Sequence, residues 1–235
     1  MRMHQDNNTS LKVSNLLTAL SGICGQLALG VYYSGSLVPH QLIIDDLTTS
    51  QLVELVTHNQ AAIFWDAYLQ GIGTLLSVIF FIRLVYLSGA GSRFSGWLVI
   101  IISSVILSIS LVDVTFTVLT VTAALAGHTE TMRIAIDLIT GSTEAFDYTF
   151  LFVPAPMLII SLGIVLLTSK LLPRLLGYLA ILIGIAFVVV GLSSLFYTLN
   201  GSLGTAFEIV QLLQLLWVIA SAVFILIYGQ KRLRS

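Results

Sequence analysis

The stretch Ser142–Gly184, STEAFDYTFLFVPAPMLIISLGIVLLTSKLLPRLLGYLAILIG, decides what kind of protein this is. It enters an apolar run through two acids, Glu144 and Asp147, and meets Pro154 and Pro156, where a helix is expected to kink because proline lacks an N–H. It then turns at a basic knot, Lys170-Leu-Leu-Pro173-Arg174, and leaves through a second apolar run. Two apolar runs joined by a short basic turn read as a pair of membrane spans, with the turn held on the cytoplasmic side.

The rest of the chain agrees. Of its 235 residues, 57% are hydrophobic and only 9% are charged, against about 25% charged in a soluble domain. Mean hydropathy is +1.01. The runs 97–112 and 175–199 are apolar on every face, which excludes a soluble helical protein of this size. At about 20 residues per crossing, the expected fold is all-α: a polytopic transmembrane bundle of six spans. Net charge is −1, and no basic patch or nucleic-acid motif is present. Cys24 is the only cysteine, so no intrachain disulfide can form.

Taken in order, residues 1–12 read as a disordered polar N-terminus. Spans are expected at about 13–35, 61–86, 97–126, 145–169, 175–198 and 205–228, followed by a basic tail, 230–235. The first span reads as a retained helix rather than a signal peptide, because it holds Asn15, Ser21 and Gln26 and no small-residue cleavage site follows. Between spans 1 and 2, Asp46–His58 has helical spacing, with Leu47, Leu52, Leu55 and Val56 on one face. A tight turn at Gly89–Ser92 joins spans 2 and 3. Span 3 is longer than the ~30 Å hydrocarbon layer needs, so it should tilt or project. Residues 128–144 read as a further helix, broken at Gly141-Ser142. Spans 2, 4 and 6 each open on an aromatic residue followed by an acid (Trp65-Asp66, Phe146-Asp147, Phe207-Glu208), a weak internal repeat.

Basic residues set the expected orientation. Arg2, Lys12, Arg83, Arg93, Lys170, Arg174, Lys231, Arg232 and Arg234 fall on one side of this arrangement and Arg133 alone on the other. By the positive-inside bias both termini are cytoplasmic. Ten of the eleven acids fall on the opposite side.

Those acids supply the candidate site. From the rise per residue, Asp66 and Asp113 both come out about 25 Å from the cytoplasmic boundary, and a charge inside a span costs about 2.5–3.5 kcal/mol on insertion scales. Asp66 shares a helix face with Gln70, and Asp113 with Thr117. Glu144 shares one with Asp147 and Tyr148, and Glu208 with Gln211; Tyr197 and Asn200 end span 5 at the same level. The expectation is an outward-open acidic pocket in which Asp66 and Asp113 face each other across spans 2 and 3. With no basic residue at that depth, such a pocket holds protons or attracts a cation. Its ligand would be a proton, a cation or a small amphipathic molecule. The plainer reading, that each acid caps its own helix or meets the headgroups, fits Asp147 and Glu208 better than it fits Asp66 and Asp113.

Enzyme classes find little support. His4, His40, His58 and His128 all lie outside the spans, where a zinc or iron enzyme of the membrane would need histidines within them. HExxH, GxSxG and P-loop motifs are absent. No catalytic residue, metal site or cofactor is expected, and the lipid bilayer is the one partner composition demands. Gly177, Gly184 and Gly191, with Ala180 and Ser194 near the same stripe, read as a close-packing face.

Residues 146–229 resemble a family of predicted bacterial multi-pass membrane proteins described only as a domain of unknown function. The likeness lies in Leu172-Pro173-Arg174-Leu-Leu-Gly177-Tyr178 between two spans and in Glu208 followed by Leu212, Leu213, Leu215 and Trp217. Asp147 and the Pro154/Pro156 pair are not features expected of it. The resemblance implies six spans in a bacterial cytoplasmic membrane and no reaction. Two functions stay open: a transporter-like or sensing protein with an acidic pocket, and a structural or partner subunit without a ligand of its own.

Overall fold

A computed structural model describes the backbone of residues 2–34, 47–169, 171–194, 196 and 202–228, with side chains except at 2–12, 142–148, 151, 202 and 228. Every regular element among the described residues is an α-helix: α1 (Arg2–Tyr33), α2 (Thr49–His58), α3 (Gln60–Leu87), α4 (Phe94–Leu125), α5 (Thr129–Phe152), α6 (Pro154–Thr168), α7 (Arg174–Ser194) and α8 (Ser202–Tyr228). Five carry stretches long and apolar enough to cross a membrane: Val13–Tyr33 within α1, all of α3, α4 and α7, and Leu203–Ile227 within α8. Helix α6 is equally apolar but has 15 residues, about 22 Å against a ~30 Å hydrocarbon layer.

Six helices close a ring in the order α1, α3, α4, α6, α7, α8, with α8 returning to α1. Helix α5 lies on α4, α6 and α7, and α2 on α3, α4 and α5. One end of the ring is basic. Arg83 at the end of α3 donates to Ser14 Oγ and to Thr18 Oγ1 at 3.5 Å, and Arg93 Nη1 at the start of α4 donates to the Thr168 carbonyl at 3.5 Å.

Lipid offers no hydrophobic drive for helices to associate, so contact distance and interhelical hydrogen bonds hold such a bundle. The glycine face of α7 supplies the first. Gly177, Ala180, Gly184, Gly191 and Ser194 are all buried, as expected. A methyl group on Gly184 would stand 2.5 Å from Ile160 Cγ1, and one on Gly177 2.7 Å from Leu167 Cγ. Helices α1 and α3 meet as closely at Gly25 and Gly73. There Gln26 Nε2 donates to Ser77 Oγ at 2.9 Å, and Ser77 Oγ donates to the Gly73 carbonyl at 2.8 Å. Trp217 Nε1 donates to the Leu176 carbonyl at 2.8 Å and ties α8 to α7.

Three expectations change. Residues 2–12 continue α1 rather than being disordered; they hold no glycine or proline, and extending a helix already nucleated is far easier than starting one. The helix over 128–144 does not break at Gly141-Ser142: α5 runs through it, since one interior glycine costs only about 1 kcal/mol. The interruption comes at Val153 (φ −128°, ψ −63°), so 145–169 is the end of α5 plus α6, not one kinked span. Pro154 and Pro156 have no N–H for the carbonyls of Phe150 and Phe152, and losing two rungs within one turn breaks the ladder.

The length of α4 has a reason. It buries Gly96, Val99, Ile102 and Ser103 at one end and Thr120, Val121, Ala123 and Ala124 at the other, with nothing buried between. The far end carries a second apolar cluster with Leu52 and Val56 of α2 and Met132 and Ile136 of α5; Leu47, Val53 and Ile63 pack against it. Helix α2 is started there by a capping box between Thr48 and Gln51.

Candidate functional site

Helices α3 and α4 run antiparallel from the tight turn at Gly89 (φ 69°). They meet along polar residues: Asp66, Gln70 and Thr74 at i, i+4 and i+8 on α3, and Ser110, Asp113 and Thr117 at i, i+3 and i+7 on α4. Gln70 Nε2 donates to Asp113 Oδ2 at 2.6 Å, a short bond to a charged acceptor. Ser110 Oγ and Thr74 Oγ1 are 3.1 Å apart. These two rungs set the register, which brings Asp66 level with Thr117. Thr117 Oγ1 itself donates back to the Asp113 carbonyl at 3.0 Å. Asp66 is 7% exposed and Thr74 is buried, while Gln70, Asp113 and Thr117 are half-buried. Asp113 Oδ1 is buried and meets no hydrogen-bond partner among the described residues.

Asp66 and Asp113 therefore share a seam but do not face each other. Asp113 faces Gln70, and Asp66 lies one turn further on, about 6 Å along the helix. Matched depth assumed that Arg83 and Trp97 were level. In the observed register Arg83 is level with Ile100, so Trp97 sits three residues, about 4.5 Å, nearer the basic end.

The wider pocket is not assembled by the described residues. Glu208 is exposed and Gln211 half-buried on α8, which packs on α1 and α7, across the ring from α4. Exposure suits Glu208 as an interfacial acid. Glu144, Asp147 and Tyr148 lie on the α5 backbone, but their side chains are outside the described residues, as are Tyr197 and Asn200 entirely. His58 and His128 are exposed, and no three His, Cys, Asp or Glu among the described residues are grouped to hold a metal. Thr74 and Ser110 went unnoticed in the sequence, although each lies at helical spacing from a residue already singled out.

Apolar clusters lie beyond the seam at both ends among the described residues. Toward the basic end the main core begins, with Phe80, Phe81, Leu84, Val99 and Ile102 buried. At the other end the α4 stripe Asp113, Thr117 continues into Val121 and Ala124 of the second cluster, and Ile63 of that cluster precedes Asp66 by one turn.

No known protein family, no curated protein and no solved structure matches the chain, so its chemistry is read from its own residues. Neither α3 nor α4 carries Lys or Arg along the seam; Arg83 and Arg93 lie at the basic end. A carboxylate with one oxygen held by an amide and the other buried and unsatisfied is a half-filled site. It can accept a proton or pair with a small cation.

Proposed function

We propose that this protein is a six-span membrane protein of a bacterial cytoplasmic membrane, with both termini cytoplasmic, that takes up a proton, a small monovalent cation or the charged group of an amphipathic molecule at the α3/α4 seam. Helices α5 and α6 together make the sixth crossing, as a discontinuous span of the kind that borders binding sites in transporters. The role is transporter-like or sensing rather than enzymatic. The observation that carries the reading is Asp113 Oδ1, buried without a partner opposite Gln70.

Asp113→Asn keeps the shape and can still accept from Gln70, but it removes the charge. A species that binds the folded protein raises its melting temperature. Purified protein should melt higher as sodium replaces a bulky cation at constant ionic strength. Asp113→Asn should lose most of that response. An equal response in both proteins would sink the reading.

A second reading is favoured by the same bonds: Gln70–Asp113 and Ser110–Thr74 join two helices of one chain, as polar residues do in purely structural bundles. It predicts melting insensitive to cations in both proteins.

A further inference from the structure

We propose that Arg83, Ser14 and Thr18 form a binding site for the phosphate of an anionic lipid, at the basic end of the crevice between α1 and α3. Ser14 stands at the start of the apolar stretch of α1, Val13–Tyr33, and Arg83 close to the end of α3. The two helices run antiparallel, so both residues meet the same membrane boundary, at the depth of lipid headgroups. The Arg83 side chain is half-buried and turned toward α1. Its Nη2 donates to Ser14 Oγ and its Nε to Thr18 Oγ1 at 3.5 Å. Thr18 Oγ1 donates in turn to the Ser14 carbonyl at 2.8 Å, so that acceptor is itself held in place. A guanidinium carries its N–H groups in a rigid planar fork that suits phosphate. Those on Nη1 have no partner among the described residues.

The helices around this cation offer it no counter-ion. Of the acids on α1 and α3, Asp6 lies about 12 Å along α1 from Ser14 and Asp66 about 25 Å along α3 from Arg83, out of reach of the guanidinium. The acids of α4 and α8, Asp113 and Glu208, lie toward the opposite end of the ring. Two hydroxyl dipoles orient the guanidinium but do not cancel its charge, and a cation drawn partly out of water calls for an anion. The surface around it says which anion. Leu75, Ile79 and Arg83 lie at i, i+4 and i+8 on one face of α3, with Tyr86 a further turn on; Leu75, Ile79 and Tyr86 are all exposed. A lipid with its phosphate on Nη1 lays an acyl chain along Ile79 and Leu75. Its headgroup then sits beside Tyr86, at the level where an aromatic ring with a polar tip is favoured. Free phosphate matches the charge but leaves that apolar stripe unused, and a zwitterionic lipid brings a cation of its own to compete with Arg83.

The site lies about 20 Å along α3 from Gln70, so a seam that binds nothing would leave it untouched. Full-length protein, stripped of lipid in a neutral detergent, is melted against rising concentrations of phosphatidylglycerol, phosphatidylcholine or inorganic phosphate, since a ligand of the folded state raises the melting temperature. Phosphatidylglycerol should bind at least about tenfold tighter than phosphatidylcholine, the scale of one charge-assisted contact. In Arg83→Gln the two lipids should come within about twofold of each other. Arg93→Gln removes an exposed cation at the same end and should keep the preference. Should Arg83→Gln fail to fold, Arg83→Lys, which retains the charge without the fork, should weaken the preference. No preference in the unaltered protein, an equal loss in Arg93→Gln, an undiminished preference in the Arg83 variants, or an equal response to inorganic phosphate would each overturn the proposal.

Discussion

Asp113 is the residue on which the chemistry turns, and Gln70 holds it in place. The amide answers one carboxylate oxygen and leaves the other buried without a partner among the described residues. Removing a partner from a buried charged group costs about 1–3 kcal/mol or more, because desolvation is no longer offset. Gln70→Leu should therefore lower thermal stability in detergent by that order. In the Asp113→Asn background the same change should cost less, since a neutral amide tolerates the loss better. A double-mutant cycle reads this coupling; additive melting shifts would mean the 2.6 Å bond contributes nothing of its own. Gln26 and Ser77 show the contrasting case. Both are buried and bonded to each other, which ties α1 to α3.

At the scale of elements, α6 and α7 form the most closely packed helix pair shown by the glycine contacts. Ten of the 15 residues of α6 are buried, and its closest neighbour stands against glycines. Gly184→Leu forces the new side chain into Ile160 and the α6 backbone. Overpacking of this kind typically costs about 1–3 kcal/mol. The variant should melt measurably lower, and an unchanged melting temperature would place this face toward lipid. Among its described side chains, α5 reaches the ring through Phe150, whose ring lies 6.2 Å from that of Phe187, and through the second cluster. Its ends are a glycine turn and a proline break.

For the whole molecule, the proposed topology rests on the basic end and on counting α5 with α6 as one crossing. Reporter fusions after residues 90, 130, 172 and 202 should read inside, outside, inside, outside. An inside reading at 130 would mean that α4 does not cross, and would undo the six-span arrangement.

Lipid as the solvent, the helical class and the positions of α3, α4, α7 and α8 were legible in the sequence, because each depends on runs of apolar residues within one segment. The glycine face of α7 was legible for the same reason: its spacing lies on one helix. The pairing of Asp113 with Gln70 was not. Register between helices is set by the turn that joins them and by how their side chains interlock, and both are properties of two segments at once. The Val153 break lay in plain view as two prolines, yet whether it kinks or severs the helix depends on what packs on either side. The second apolar cluster was hidden for a deeper reason. Leu52, Val56, Val121, Met132 and Ile136 come from three helices, and only the tertiary fold decides that they meet in space.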